Sequence, residues 1–491
     1  FYAIQQDHLH IIQSNEPEST LKLDDIALSD TPYGLMVQGE NLLVFEHVEQ
    51  PQNDWGYRGA TRIEQFDISN PAAPTWKRDL MLDGYLVTAT QRDGTLFLSI
   101  RSDIQYPDSI WRQQYDDTLG LPDLDFSIPE AEWEAHREDV RAKAEAILRP
   151  IVMDGIQNID MQQLMPEWIE ESAQQSDSSR NPLLNCDDVY LSPYFSGVRG
   201  YENEGPGGLS PLFSMIQMEP DEGTPRAVGI LSPIQAVYSD GTHFFVAQTP
   251  MSTTIDGVSS VTSLLYQFHR RANWQPSYLA AGAVEGGLFT KNPMMTQNGV
   301  LRVASYLNEQ SSTSDYYTER DYYPIINTLE EQKPRRFSII GSFKDTKPYG
   351  YMDSVILTDS FAYIIGGNRD ENIRSVDLTD PFNLRLAGEL FPLASMPRFF
   401  TLPNRFLLAT GNQYNPELNL YSFAFDLYSM SVPYLPERID NLSFRNLELG
   451  GMPDSMHIVD NTVIMGVTDL KGTNGLFRGA AVFTMTSDGI I

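Results

Sequence analysis

Residues 33–46 read Tyr33-Gly34-Leu35-Met36-Val37-Gln38-Gly39-Glu40-Asn41-Leu42-Leu43-Val44-Phe45-Glu46. An apolar stretch runs into a short polar turn and straight out into a second apolar stretch. Gly, Asn and Asp tolerate the positive φ of a tight hairpin, so the segment reads as two antiparallel strands. The pattern returns six more times, in 85–100, 234–248, 289–306, 349–366, 396–410 and 452–468. The turns are Arg92-Asp93-Gly94, Ser239-Asp240-Gly241, Gln297-Asn298-Gly299, Thr358-Asp359, Pro403-Asn404 and Val459-Asp460-Asn461. They recur at roughly 45–60 residues, a period that suits a four-stranded propeller blade better than a solenoid coil. The interval from Gly94 to Gly241 is far longer and must hold an insertion.

The second half of the repeat supports a blade. Gln65-Phe66-Asp67-Ile68-Ser69-Asn70-Pro71 and Ser375-Val376-Asp377-Leu378-Thr379-Asp380-Pro381 carry one phrase, each followed by a further short apolar segment. This reads as a third strand ending in an Asx/Pro turn, then a fourth strand, with Asp67 and Asp377 capping their turns. At the start of the chain, 1–5, 9–14 and 21–28 read as second, third and fourth strands without a first. At its end, 480–485 reads as a third strand. The fold class is therefore all-β, a β-propeller spanning 1–491. The count is eight blades, or seven if the two ends share one.

Residues 104–190 interrupt the pattern. Ser127-Ile128-Pro129-Glu130 has the form of a capping box with Pro in the first turn. Trp133, Val140, Ala144, Ile147 and Leu148 follow at helical spacing, which predicts a helix ending before Pro150. A second helix is predicted over 161–172, with Leu164, Trp168 and Ile169 on its apolar side. Both apolar stripes are expected to pack on the propeller, the alternative being a lid or a partner-docking surface. A second irregular stretch, 308–334, reads as a long blade loop. Its Tyr316-Tyr317 and Tyr322-Tyr323 are set among polar residues, which also suits recognition.

With these units laid out, the chain resembles the bacterial and archaeal family of secreted proteins whose C-terminal β-propeller is distantly related to WD40 repeats. The carriers are Phe1-Tyr2-Ala3-Ile4 with Ile11-Ile12 and Tyr33-Gly34-Leu35-Met36-Val37, the phrases 66–71 and 376–381, the helix with Trp133, Leu148-Arg149-Pro150, and Cys186-Asp187-Asp188-Val189-Tyr190. The resemblance covers nearly the whole chain and implies a propeller that is secreted or held in the cell envelope. It brings no catalytic residue with it. The chain departs from the family around Gly366-Gly367-Asn368-Arg369 and in lacking the first strand of the first blade.

Composition narrows the partners. The chain has 491 residues, 41% of them hydrophobic, with 34 Lys and Arg against 66 Asp and Glu, a net charge of −32. Such a surface repels nucleic-acid phosphates and anionic membranes. It solubilises the protein and attracts cations. No apolar run is long enough to span a membrane. The single cysteine, Cys186, allows no intramolecular disulfide and is expected to be buried or structural rather than nucleophilic.

Nucleophile-elbow, P-loop, zinc-protease and EF-hand signatures are missing. His8 and His10, two apart on a strand, share a face, but a zinc site needs further ligands and none follows nearby. Asp370, Glu371 and Asn372, and separately Asp187 and Asp188, are dense hard-oxygen groups of the kind calcium takes, although neither set meets a known spacing rule. The expected function is a non-enzymatic binding or scaffold role outside the cytoplasm, toward a cell-surface protein or polymer. The alternative is a calcium-dependent hydrolase or lyase with its site at the central tunnel, since propeller enzymes gather residues from many blades.

Overall fold

The computed structural model describes residues 2–490 apart from short segments, of which 103–118 and 192–211 are the longest. All seven hairpins form around the turns that the sequence sets. Thr31–Gln38 pairs with Asn41–Asn53, Tyr85–Arg92 with Thr95–Ser102, and Ile234–Ser239 with His243–Gln248. The same holds for Met294–Gln297, Met352–Leu357, Ser395–Leu402 and Met456–Val459 with the strands that follow them. Gly39 and Gly94 take φ of 58° and 79° at their turns, where a side chain would be strained.

The described strands form seven sheets, and the ten-stranded one holds two antiparallel sets joined by the single parallel bridge of Ala281 with Arg336, so eight blade-like units result. The first contains Tyr2–Gln5, His8–Gln13 and Leu21–Ala27. The step from Gln13 to Leu21 equals that from Asp67 to Thr75 and from Asp377 to Arg385. These three strands are therefore the second to fourth of a blade, as the sequence implies. In the last unit the third strand, Phe477–Thr486, is followed by a fourth of two residues, Gly489–Ile490. Asp67 and Asp377 cap their turns: each accepts the amide two residues on, from Ser69 at 2.8 Å and Thr379 at 2.9 Å. The sequence reads 1–491 as one domain. The chain groups into two compact units, Phe1–Pro233 with Arg270–Ser277, and Ile234–His269 with Tyr278–Ile491.

Within each compact unit the blades are tied by one recurring device. Where a fourth strand ends at Asp83-Gly84, the Gly84 amide donates to Gly59 O at 2.8 Å and Thr61 Oγ1 donates to Gly84 O at 2.8 Å. Ser102, on the second strand of the following blade, donates to Asp83 O at 2.7 Å. The same set recurs at Glu285-Gly286. The Gly286 amide meets Val261 O at 2.7 Å, Ser263 meets Gly286 O at 2.8 Å, and Ser305 of the next blade meets Glu285 O at 2.7 Å. Thr61, Ser102, Ser263 and Ser305 are all buried. Neighbouring hairpin turns are linked too, Gln38 Nε2 to Gly94 O at 2.6 Å and Thr296 Oγ1 to Asp240 Oδ2 at 3.2 Å.

The insertion differs from its sequence reading in three ways. It lies between the second and third strands of one blade, because Thr95–Ser102 pairs directly with Leu212–Met218, so it extends to residue 211. Its helix runs Glu130–Gln157 and passes through Pro150. The proline is exposed and the apolar stripe continues beyond it through Ile151 and Val152, so one lost amide donor does not end the helix. Residues 161–172 are not a second helix. Met161–Leu164 is a single 3-10 turn, and Glu167–Ser172 is a strand that adds to the outer edge of Thr75–Asp83. Trp168 is buried there, packed with Leu80, Leu82 and Leu183. A strand reading of Trp168-Ile169 was available from its β-branched and aromatic content. The predicted loop 308–334 is also strand: Val300–Thr313 and Thr318–Lys333 form one long hairpin. Tyr322 packs on Tyr306 with ring centroids 5.7 Å apart, so it serves the core rather than recognition. Tyr316 and Tyr317 lie outside the described residues.

Gly84 has φ of 114°, and a Cβ there would lie 2.5 Å from Ser102 Oγ and 2.6 Å from Arg101 O. Gly39 has φ of 58° with open space around it. Gly84→Ala should cost about 2–4 kcal/mol in urea unfolding, from backbone strain plus overpacking. Gly39→Ala should cost about 1 kcal/mol. Equal losses would mean that the elbow is not a constraint.

Candidate functional site

The most unusual chemistry in the described chain lies on one face of the first four-stranded blade. Alternation along Asn41–Asn53 puts Leu42, Val44 and Glu46 on the same side. Glu64 stands opposite Val44, Arg62 opposite Glu46, and Asp79 opposite Glu64. The inserted strand extends the row, with Glu171 opposite Asp79. The cross-strand ladder thus brings Glu46, Glu64, Asp79 and Glu171 onto one face around Arg62. Asp30 and Ser29 arrive from the linker after the first three-stranded unit. Arg62 Nη1 pairs with Asp30 Oδ2 at 2.5 Å, and Ser29 Oγ donates to Glu64 Oε1 at 2.5 Å. Arg62 Nε faces Asp79 Oδ2 at 3.9 Å, and Trp76 Nε1 donates to Asp79 Oδ1 at 2.6 Å.

Glu46 is 0% exposed and neither carboxylate oxygen has a hydrogen-bond partner. Burial, reinforced by the charge of Glu64, pushes its pKa up to about 7. The Asp30 amide and Arg62 pull the other way, but no donor sits in hydrogen-bond geometry with either oxygen. Burial also raises Glu64 and Asp79. A carboxyl with its pKa near 7 takes up or releases a proton under ordinary conditions, the property that general acids and proton-linked switches share. Sequence reasoning passed over Glu46. The signal was one acid closing the run Leu42-Leu43-Val44-Phe45, on the same side as Leu42 and Val44.

His8 and His10 do share a face, and the next strand supplies what the sequence could not place. Asp25 stands opposite His10, with its Oδ1 at 2.7 Å from His8 Nδ1 and 3.6 Å from His10 Nδ1. The two rings lie 6.2 Å apart and nearly parallel. Lys22 also pairs with Asp25, and hydrogen bonds from Lys22 and His8 hold the Asp25 carboxyl below the usual range. His243 caps its own hairpin turn with Asp240, which accepts the Thr242 and His243 amides at 2.8 and 2.7 Å. Burial opposes ionisation of Asp240, but the bonds from His243 and Thr242 outweigh it and hold its pKa well below the usual carboxylate range.

Asp187 and Asp188 lie in the 3-10 turn Cys186–Asp188, where Asn185 Nδ2 donates to Asp188 Oδ2 at 3.1 Å. Asp370, Glu371 and Asn372 fall outside the described residues. Among the described residues, no group of three or more His, Cys, Asp and Glu side chains is arranged to hold a metal ion. Cys186 is exposed, contrary to the buried position expected of it, because its turn sits on the outside of the insertion just before the edge strand Val189–Leu191. No helix is long and apolar enough to cross a membrane among the described residues.

A sequence model described as the beta propeller domain matches residues 1–391. No curated protein matches the chain.

Arg62 is the cation at the centre of the acidic face, and its side chain is 19% exposed. Arg62→Leu should cost about 3–5 kcal/mol at pH 8, because it leaves carboxylates buried without their partner. Much of that loss should return at pH 5, where Glu46 accepts a proton. Urea unfolding at the two pH values checks this, and a loss independent of pH would contradict it.

Proposed function

Because the chain belongs to the beta propeller domain family, we propose that it is a binding or scaffold protein working outside the cytoplasm. The observation that carries this reading is the insertion helix. Along Glu130–Gln157, Trp133, Val140, Ala144, Ile147, Leu148 and Ile151 form an apolar stripe, and every one of them stays half-exposed. Beside and behind the stripe run exposed ion pairs, Glu138–Arg141 at 3.5 Å, Asp139–Lys143 at 2.7 Å and Glu145–Arg149 at 3.6 Å. Such exposed pairs add little stability, so they mark the side that faces water and leave the stripe as the contact side. At the close of the insertion, Tyr190 and Leu191 are 37% and 67% exposed.

The framework beneath is engaged with itself. Its turn aspartates cap backbone amides and its buried hydroxyls tie one blade to the next. A fixed framework carrying a long insertion suits recognition of a protein or polymer surface. The resemblance to secreted propellers supports a place in the cell envelope or beyond it, and the single cysteine is compatible with that.

Changing Trp133, Ile147 and Leu148 together to Ser should leave the strand signal in circular dichroism unchanged, since none is buried. The purified chain should co-sediment with isolated cell-envelope material of its own organism, and the triple variant should bind at least about tenfold more weakly, the scale expected when contact aromatics and aliphatics are removed. Equal binding by both, or by neither, would contradict the proposal.

A further inference from the structure

The first three-stranded unit and the first complete blade meet along an apolar seam. Leu9 and Leu28 pack there against Leu42, Val44, Phe66 and Ile68, with Tyr2, Ile4, Ile26 and Leu35 at its margins. Glu46 continues the Leu42–Val44 row, so the strand that supplies the seam's apolar side chains also carries a fully buried, unpartnered carboxyl. The linker joining the two units ends on the same acidic face, through Ser29 on Glu64 and Asp30 on Arg62. The seam, its linker and the unpartnered carboxyl are thus one cluster.

We propose that docking of the first unit on the first complete blade is latched by a proton on Glu46. With the proton bound, the seam closes over a neutral acid. With the proton lost, burial of the carboxylate beside Glu64 opposes closure by more than the Asp30 amide and Arg62 return. The charged and titratable groups around it are Arg62 and Glu64 on the neighbouring strand, Asp79 on the strand beyond, and Asp30 on the linker. From the first unit, Tyr2 and Asp24 stand opposite Ile11, on the face that carries Leu9. Arg62 offsets part of the negative charge, but it already pairs with Asp30 and faces Asp79, so it leaves the Glu46 oxygens unpartnered.

The sign follows from linkage. Glu46 in the closed seam holds its proton up to about pH 7, whereas an open seam, which admits water to the carboxyl, moves it back toward the ordinary glutamate value of 4.5. Between those values the closed form binds more protons than the open one, so closure weakens as pH rises and levels off above the upper value. Each pH unit in that window is worth about tenfold in the closing equilibrium.

Hydrogen exchange of peptides covering residues 2–27, corrected for intrinsic rates, tests this at pH 5 and pH 8. In the unaltered protein, protection of 2–27 should fall by roughly tenfold or more at pH 8, while peptides from Val300–Thr313 keep theirs. In Glu46→Gln the protection should be the same at both pH values. Unchanged protection in the unaltered protein would overturn the proposal, as would an undiminished pH response in Glu46→Gln. Should that variant fail to fold, Glu64→Gln takes its place. Removing the neighbouring charge lowers the Glu46 pKa, so the loss of protection should move to lower pH, and a loss at unchanged pH would count against the latch.

Discussion

At Asp83-Gly84 and again at Glu285-Gly286 the chain must leave the fourth strand of one blade and enter the first strand of the next in two residues. Side-chain hydroxyls from both blades hold the two carbonyls of that elbow, and the glycine amide reaches back to the third strand. Each such bond contributes on the order of 1 kcal/mol net, but leaving a buried carbonyl unpaired costs more than the bond contributes. The elbow therefore sets the register between blades as well as adding stability. A third junction solves the same problem with a different residue. The Asp345 amide meets Pro324 O at 3.0 Å, and the buried carboxyl is held by Tyr349 and by Arg374 of the following blade.

Once blade-to-blade register is fixed locally, variation is tolerated elsewhere. The long insertion enters between the second and third strands of one blade without disturbing its pairing, because Thr95–Ser102 and Leu212–Met218 still meet residue for residue. Part of the insertion returns as an edge strand on the blade before it, burying Trp168, while its helix keeps an apolar stripe half-exposed. The acidic face is a second departure. Glu46 is a buried acid on the row that carries Leu42 and Val44, and the linker around Ser29 and Asp30 is drawn into the resulting cluster. Both departures lie in the compact unit that begins with the first blade fragment.

Hairpins were legible in the sequence because two signals coincide there, apolar alternation and turn residues that accept positive φ. The Asx caps at Asp67 and Asp377 were legible for the same reason, since the cap is local. Three kinds of feature were not. Glu167–Ser172 adopts a strand because a blade edge is available to pair with it, and the β-branched and aromatic content of Trp168-Ile169 does not say where that edge lies. Pro150 fails to end its helix because the apolar stripe on either side is continuous. The partnership of His8 and His10 with Asp25, and the meeting of Glu46, Glu64, Asp79 and Arg62, depend on cross-strand register, which hairpin turns fix only within a pair. The elbows were visible only as short Asp-Gly and Glu-Gly steps, and their hydroxyl partners come from strands far away in sequence.

If the elbows govern the framework, their amides should open only when the framework itself does. Amide hydrogen exchange resolved to the peptides containing Gly84 and Gly286, compared with peptides from the helix Glu130–Gln157, measures this directly. The account predicts that both elbow peptides exchange among the slowest in the chain, with the helix faster by orders of magnitude. Elbow peptides that exchange as fast as the helix would contradict it.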